Sequence, residues 1–175
     1  RPHSGTYVGK ALVFNMPSAK RPREEPPAPA VAPWCIMVHA GAGRHARVRE
    51  GSYCAVMQKA CEAGHAALLC GGSSLDAVEA AIAVLEDDPV SNAGLGSNLS
   101  FDGTVECDAS VMEGAARTFG ACGAVSGVPN PVKLAARVLR QQQDGPLSLG
   151  RVHPVLLVGD GAGRWAEAHG VTVCP

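Results

Sequence analysis

The sequence is poor in aromatic residues, carries almost no net charge and has no long apolar run. Aromatics make up 4% of its 175 residues, so Ala, Val, Leu and Gly must fill the core, which suits close packing of helices on sheets. Fifteen Lys and Arg stand against 16 Asp and Glu, a balance that gives no electrostatic case for nucleic acid or an anionic membrane as a partner. No apolar stretch approaches the roughly twenty residues a membrane span needs, and no signal-peptide pattern opens the chain. An intracellular protein is expected.

Several chemical motifs are missing as well. There is no C-x-x-C pair, no H-E-x-x-H and no histidine pair at zinc spacing. The seven cysteines (Cys35, Cys54, Cys61, Cys70, Cys107, Cys122 and Cys174) are odd in number and lie mostly within apolar runs. They are read as reduced and buried. The turn His39-Ala40-Gly41-Ala42-Gly43 lacks the Gly-Lys-Ser/Thr of a phosphate loop. It also lacks the third glycine and distal acid of a dinucleotide fingerprint. His39 is read as a hydrogen-bonded structural histidine in preference to a base. Gly159-Asp160-Gly161-Ala162-Gly163 is read as a turn before the last helix.

What is present divides at Trp34. Residues 1–33 are expected to lack order: Met16 reads as a start, Arg1 to Asn15 as a leader or fragment edge, and Pro17 to Pro33 as an extended, proline-rich tail. Lys20, Arg21 and Arg23 hint at nuclear import, against the simpler reading of a solvated tail of mixed charge. Residues 34–175 form the ordered part. Trp34 to Val38 reads as a buried strand. A helix is expected from about Ser52 to Leu69, with Cys54, Met57, Cys61, Ala66 and Leu68 on its apolar side and Gly71-Gly72 as its stop. Ser73 and Asp76 form a capping box for a second helix, whose buried face is Leu75, Val78, Ala81, Ile82 and Leu85 and which Pro89 ends. Val90 to Leu99 is a loop, and Ser100 to Met112 a hairpin turning at Asp102-Gly103. Phe119 to Val125 is a strand and Pro131 to Leu139 a helix opened by proline. Gln141 to Gly150 is an exposed loop, Val155 to Val158 a strand, and Arg164 to His169 a short helix.

Two acidic features invite chemistry. Glu86-Asp87-Asp88 sits at a helix carboxyl end, where the helix dipole disfavours it, so solvent or a bound cation must relieve it. Glu106 and Asp108 alternate along a strand and share a face, as an acid–base pair or as structural caps.

Taken in order, the motifs resemble a known family. Gly71-Gly72-Ser73-Ser74-Leu75-Asp76-Ala77-Val78-Glu79-Ala80-Ala81, then Asp87-Asp88-Pro89, then Asn92-Ala93-Gly94-x-Gly96-Ser97, Gly103 and Glu106-Cys107-Asp108-Ala109-Ser110-x-Met112-x-Gly114 look like the signature of the asparaginase-like amino-terminal-nucleophile (Ntn) hydrolases, over roughly Cys35 to Cys174. Within it the endopeptidase branch, the threonine aspartases, is most similar. The first turn reads His-Ala-Gly-Ala-Gly where the small-molecule enzymes have His-Gly-Gly-Ala-Gly. Phe119 to Gly127 with Asn130-Pro131-Val132 fits that branch, as does the tail from Leu157 to Gly170.

The resemblance implies an α+β fold, the αββα four-layer sandwich, of which this chain is the amino-terminal, alpha-subunit half. It implies a chain that cuts itself before a threonine, whose freed amine then serves as base for its own hydroxyl. The implied substrates are proteins cut after Asp, nuclear transcriptional regulators among them, and the implied location is nucleus and cytoplasm. Thr6, Thr104, Thr118 and Thr172 are the only threonines, and none opens a Thr-Val-Gly-like strand. No catalytic residue is therefore expected in this chain, and the nucleophile should lie beyond Pro175. Gly41 and Asn92 match positions bordering the threonine pocket. Leu85, Glu86, Asp88, Ser91, Ala93 and Leu95 match a loop that holds a sodium ion by main-chain carbonyls; no other cofactor is implied. The implied partner is a carboxyl-terminal beta subunit, giving an alpha–beta heterodimer that pairs into a dimer of heterodimers. Two alternatives stand beside this: an L-asparaginase or isoaspartyl dipeptidase of the same family, and a non-catalytic short isoform acting as an interaction module.

Overall fold

The computed structural model describes residues 10–15, 34–42 and 46–174. In chain order the elements are β1 (Lys10–Asn15), β2 (Trp34–His39), α1 (Glu50–Leu69), α2 (Ser74–Glu86), β3 (Cys107–Glu113), β4 (Thr118–Val125), α3 (Pro131–Gln143), β5 (Leu156–Val158) and α4 (Gly159–Ala168). β1 and β2 make one antiparallel sheet. β3, β4 and β5 make a second, mixed one in which β4 pairs antiparallel with β3 and parallel with β5. The expected α+β class is the one these residues adopt. Among the described residues no helix is long and apolar enough to cross a membrane.

β1 lies inside residues 1–33, the segment expected to lack order. It pairs with β2 along its length, from Lys10 opposite His39 to Asn15 opposite Trp34. The run Ala11-Leu12-Val13-Phe14 has the β-prone composition of a strand, a signal that reading Arg1 to Asn15 as a leader or fragment edge passes over. Pro17 to Pro33, with Lys20, Arg21 and Arg23, lies outside the described residues.

Helix α1 buries a different stripe from the one read from its sequence. Val56, Ala60 and Gly64, four residues apart, are buried, whereas Cys54 is exposed. Gly64 explains the rotation. A Cβ there would lie 3.0 Å from the Ala77 carbonyl oxygen and 3.3 Å from Ile36 Cδ1, so α1 seats its smallest residues against α2 and β2. Its end is as expected: Gly71 has φ +83°, its N–H donates to Leu68 O at 3.0 Å, and the Gly72 N–H donates to Ala67 O at 2.9 Å, the paired bonds of a Schellman stop. α2 carries the expected capping box and buries Leu75, Ala81, Ile82 and Leu85. It stops at Glu86, before Pro89.

Two boundaries differ downstream. α3 continues to Gln143, because Gln142 Nε2 donates to Phe119 O at 2.7 Å and anchors the extra turn. α4 begins at Gly159, so the glycine run is its first turn; Ala162, fully buried, is drawn into the core there. The cysteine expectation also changes. All seven are free, but only Cys107 and Cys122 are buried, and Cys35, Cys54, Cys70 and Cys174 are exposed.

One core joins these parts. Val56 of α1, Leu85 of α2, Val111 of β3, Cys122 of β4, Leu134 and Leu139 of α3 and Ala162 of α4 belong to a single buried cluster. β3 alternates strictly, with Cys107, Ala109 and Val111 inward and Asp108, Ser110 and Met112 outward, the period-2 pattern of a strand.

Candidate functional site

Strand β2 delivers its carboxyl end to the first predicted site residue. Gly41 has φ +103°, a conformation that glycine adopts without strain, and its N–H donates to His39 Nδ1 at 3.3 Å. His39 thus holds the turn, as the structural reading has it. Beside the turn lies a hollow of about 380 Å³, lined by His39, Ala40, Gly41, Arg47, Glu50 and Tyr53 among others. Its walls come from the end of β2 and the first turns of α1.

The second predicted residue, Asn92, sits in the loop after α2. Its Oδ1 accepts from the Asn98 N–H at 2.8 Å, which leaves the Nδ2 amide as the group able to meet a ligand. Gly41 lines the hollow beside its turn and Asn92 does not.

The acid cluster at the α2 end is relieved by hydrogen bonds from protein groups. Glu86 turns inward and is 1% exposed. Its Oε1 accepts from the Val132 N–H at 3.0 Å, capping the start of α3 from a neighbouring helix, where N–H groups lack intrahelical partners. Burial pushes the Glu86 carboxyl up to about 8. Asp87 accepts from Asn130 Nδ2 at 2.8 Å, and Asp88 accepts from the Val90 N–H at 2.9 Å. Glu86 and Asp87 therefore join the end of α2 to the start of α3, and Asp88 holds the loop that leaves α2. Sequence reasoning missed the role of Glu86, although a signal was there: it stands four residues after Ile82, on the apolar stripe of α2.

The loop that follows packs tightly on this joint. Ser91 Oγ donates to Leu85 O at 2.7 Å, and the Gly96 N–H donates to Ala93 O at 3.0 Å. Gly94, with φ +51°, lies against the Glu86 carbonyl, and Gly96 lies against those of Ser91 and Pro89; a Cβ at either position would collide with them. The glycines of the Asn92-Ala93-Gly94-x-Gly96 motif thus let the loop backbone close against the main-chain carbonyls of Glu86, Ser91 and Pro89. Oxygen donors of this kind suit a hard cation, and each carbonyl engaged by one donor keeps a second lone pair. The set Leu85, Glu86, Asp88, Ser91, Ala93 and Leu95 fits a sodium ion in donor chemistry. Among the described residues no three His, Cys, Asp or Glu side chains gather to hold a metal.

Asp108 and Thr104 have structural partners, whereas the buried Thr118 hydroxyl has no hydrogen-bond partner among the described residues. Asp108 Oδ1 accepts from the Ala124 N–H at 2.7 Å, across an irregularity in the β3–β4 register where Ala124 has φ +49°. Glu106 precedes β3 and is exposed. Asp108 clamps a bulge, in line with the structural-cap alternative for the pair. Thr104 Oγ1 shares a hydrogen bond with Ser100 Oγ at 2.8 Å in the hairpin turn, and the Thr118 hydroxyl is buried in β4. The Cys122 thiol donates to Pro131 O at 3.4 Å, and burial pushes it up to about 12, so it is inert as a nucleophile.

A mixed sheet backed by helices, a glycine turn beside a hollow and a tightly packed loop after a capped helix define an α+β domain. Residues 32–175 match the Asparaginase family, and the chain belongs to it. Among curated relatives it is 39% identical over 146 residues to isoaspartyl peptidase/L-asparaginase of Mus musculus, covering 80% of this chain and 40% of the relative. It is 37% identical over 140 residues to the Xenopus laevis protein of the same name, covering 80% and 42%. To the plant-type L-asparaginase of Pyrococcus abyssi it is 40% identical over 141 residues, covering 77% and 41%. The chain thus spans about two fifths of the length of these relatives.

Proposed function

We propose that these residues are the amino-terminal, alpha-subunit portion of a threonine-type Ntn hydrolase that matures by self-cleavage, and that the mature enzyme is an endopeptidase cutting proteins after Asp. The outer face of the β3–β4–β5 sheet carries the first part of this reading. Met112, Phe119, Leu156 and Val158 point from it into solvent, and β4, Thr118–Val125, has a single polar side chain, at its first residue. Strands apolar on both faces are built to be covered on both. A second sheet laid there, contributed by a carboxyl-terminal beta portion, would give the αββα sandwich, and two such heterodimers the larger assembly.

In this reading Gly41 and Asn92 face a threonine from outside these 175 residues. The Asn92 amide orients the reacting carbonyl or the nucleophile. A sodium ion on the 85–95 carbonyls would stiffen the loop that carries Asn92. Replacing sodium chloride by choline chloride should then lower the melting temperature, and equal melting in the two salts would remove the ion. Intracellular residence, in nucleus and cytoplasm, belongs to the same proposal.

Ala40 favours the endopeptidase branch, because its methyl lines the hollow where the small-molecule enzymes have glycine. The names of the relatives favour a second reading, hydrolysis of L-asparagine or isoaspartyl dipeptides. Mature full-length protein offered an Asp-containing peptide, an isoaspartyl dipeptide and L-asparagine separates the two: cleavage of the first alone supports the endopeptidase, and turnover of the others alone rejects it. The 175-residue chain by itself should hydrolyse none of them.

A further inference from the structure

Another hollow, of about 380 Å³, lies where the end of α2 meets the β3–β4 sheet. That volume suits a small molecule, whose sites run from about 300 to 1,000 Å³. Its walls are largely apolar: Leu95 from the loop after α2, Val105 and Cys107 at the approach to β3, Val125 at the end of β4 and Val128 beyond it. Neither Gly41 nor Asn92 lines it.

The charged groups of this hollow are acids. Glu86 and Asp87 line it, and among the described residues that do so there is no Lys, Arg or His. Lys133 lines a different cavity, and its Nζ donates to Asn130 Oδ1 at 2.9 Å. Two carboxyl oxygens are left over. Asp87 is exposed; its Oδ1 accepts from Asn130 Nδ2 at 2.8 Å, and its Oδ2 has no partner among the described residues. Glu86 is 1% exposed, and its Oε2 is buried without a hydrogen-bond partner. An oxygen buried without a donor is costly, and positive charge brought into the hollow beside it offsets that cost.

We infer that this hollow binds a small organic amine. Asp87 holds its ammonium, with Glu86 behind, and Leu95, Val105 and Val128 pack on its hydrocarbon body. A bare metal ion suits the site poorly, since no three acidic, His or Cys side chains gather among the described residues and the walls offer carbon. An ammonium on an apolar stem matches both halves of the lining. The inference goes beyond the hydrolase reading and does not depend on it.

The test uses mature full-length protein at constant sodium chloride and three probes with one aromatic body: phenethylamine, 2-phenylethanol and 3-phenylpropionate. Cys174 is exposed and lines the hollow, so its alkylation by iodoacetamide, followed by mass spectrometry, reports occupancy; Cys70, exposed at the end of α1 and outside the lining, is the reference. Phenethylamine should slow alkylation of Cys174 and leave Cys70 unchanged. The alcohol should need about five times the concentration, the scale of a partly exposed ion pair, and the carboxylate should protect least. Asp87→Asn keeps an oxygen for Asn130 and should bring the amine down to the level of the alcohol. Asp102→Asn, in the exposed hairpin turn, should behave as wild type. Equal protection by all three probes, equal slowing of both cysteines, or an amine preference that survives Asp87→Asn overturns the inference. A Cys174 that resists alkylation without any probe means a closed hollow and overturns it as well. Protection by a capped Gly-Lys-Gly peptide at lower concentration than phenethylamine gives the site to a protein lysine and rejects the small ligand.

Discussion

The inner face of the β3–β4–β5 sheet presents Ala109, Val111 and Cys122 to α3 and α4 and leaves all three buried, whereas the outer face holds Met112 at 71% exposed, Leu156 at 53% and Val158 at 59%. Beside Asp108 and Ser110 the outer face carries apolar side chains like those of the inner one, so composition alone does not explain the difference; what has been laid against each face does. Two glycines of β4 mark it most sharply. Gly120 faces inward, and a Cβ there would meet the Ala135 carbonyl, Leu139 N at 2.6 Å and Leu139 Cβ at 2.9 Å. Gly123 faces outward, and a Cβ there would meet only Asp108 Oδ1 at 3.3 Å and a Val158 methyl at 3.6 Å.

That contrast sets the largest expected effect. Gly120→Ala pushes a methyl into helical backbone that cannot yield, and should cost about 3 kcal/mol or more, the upper range for overpacking. Leu139→Ala, on the helix it would displace, should cost about 2–5 kcal/mol as a cavity. Gly123→Ala should cost well under about 1 kcal/mol, because a side-chain carboxylate can shift. Urea melts of the three variants decide the matter, and equal destabilisation by the two glycine changes would break the comparison.

Carboxylates divide in the same way. Glu86 is buried with its carboxyl raised from 4.5 to about 8, while Asp108 stands on the outer face. A raised folded-state value means that the folded protein holds the proton more tightly than the unfolded chain does. The stability this provides is complete below about 4.5, declines as pH rises through the interval and is gone above about 8. Glu86→Gln keeps an oxygen for the Val132 N–H and cannot ionise. Stability measured by denaturant midpoint from pH 5 to 9 should therefore fall less steeply in the variant than in wild type. Parallel curves would show that Glu86 ionises freely in the folded state.

The margin where α2 meets α3 should respond less. Arg140 joins Asp76 and Glu79 at 2.6 Å each, and Asp76 also closes the capping box, with its carboxyl held below the usual range by the Ser73 hydrogen bonds and then by Arg140. The bridge is partly exposed, so Arg140→Met should cost about 1 kcal/mol or less. Ser73→Ala should cost about 1 kcal/mol. A depressed acid contributes above its unfolded value, 3.8 here, and the contribution fades as pH falls below it. The cost of Arg140→Met should accordingly shrink in strong acid.

The legible features are those in which local chemistry and tertiary packing agree. The α2 capping box, the Gly71-Gly72 stop and the turn at Gly103 each follow from a residue whose backbone preference decides its own position. The α1 stripe was obscured because packing chose Ala60 and Gly64, which carry little hydrophobic signal, over Cys54, which carries more. α4 starts early because Ala162 is buried by its neighbours, overriding a glycine run that reads locally as a turn. At the candidate site, Gly41 and Asn92 came from motif order, but the partner of each acid could not. The bonds from Glu86 to Val132 and from Asp87 to Asn130 span more than forty residues, and no local pattern encodes them.

The smallest expected effect in the isolated chain is also the one that bears most on assembly. Met112 and Leu156 stand on the outer face with little to lose, so Met112→Ser and Leu156→Ser should change stability by no more than about 0.5 kcal/mol, the range for surface substitutions. Exposed apolar patches drive association, so the same changes should raise solubility and weaken binding of an apolar dye. In full-length protein, where the proposed second sheet covers this face, each serine would be a buried hydroxyl without a prepared partner and should become strongly destabilising. A serine that is silent in the 175-residue chain and damaging in the full-length protein places the covering layer on this face. One that is silent in both places it elsewhere, and the four-layer reading fails with it.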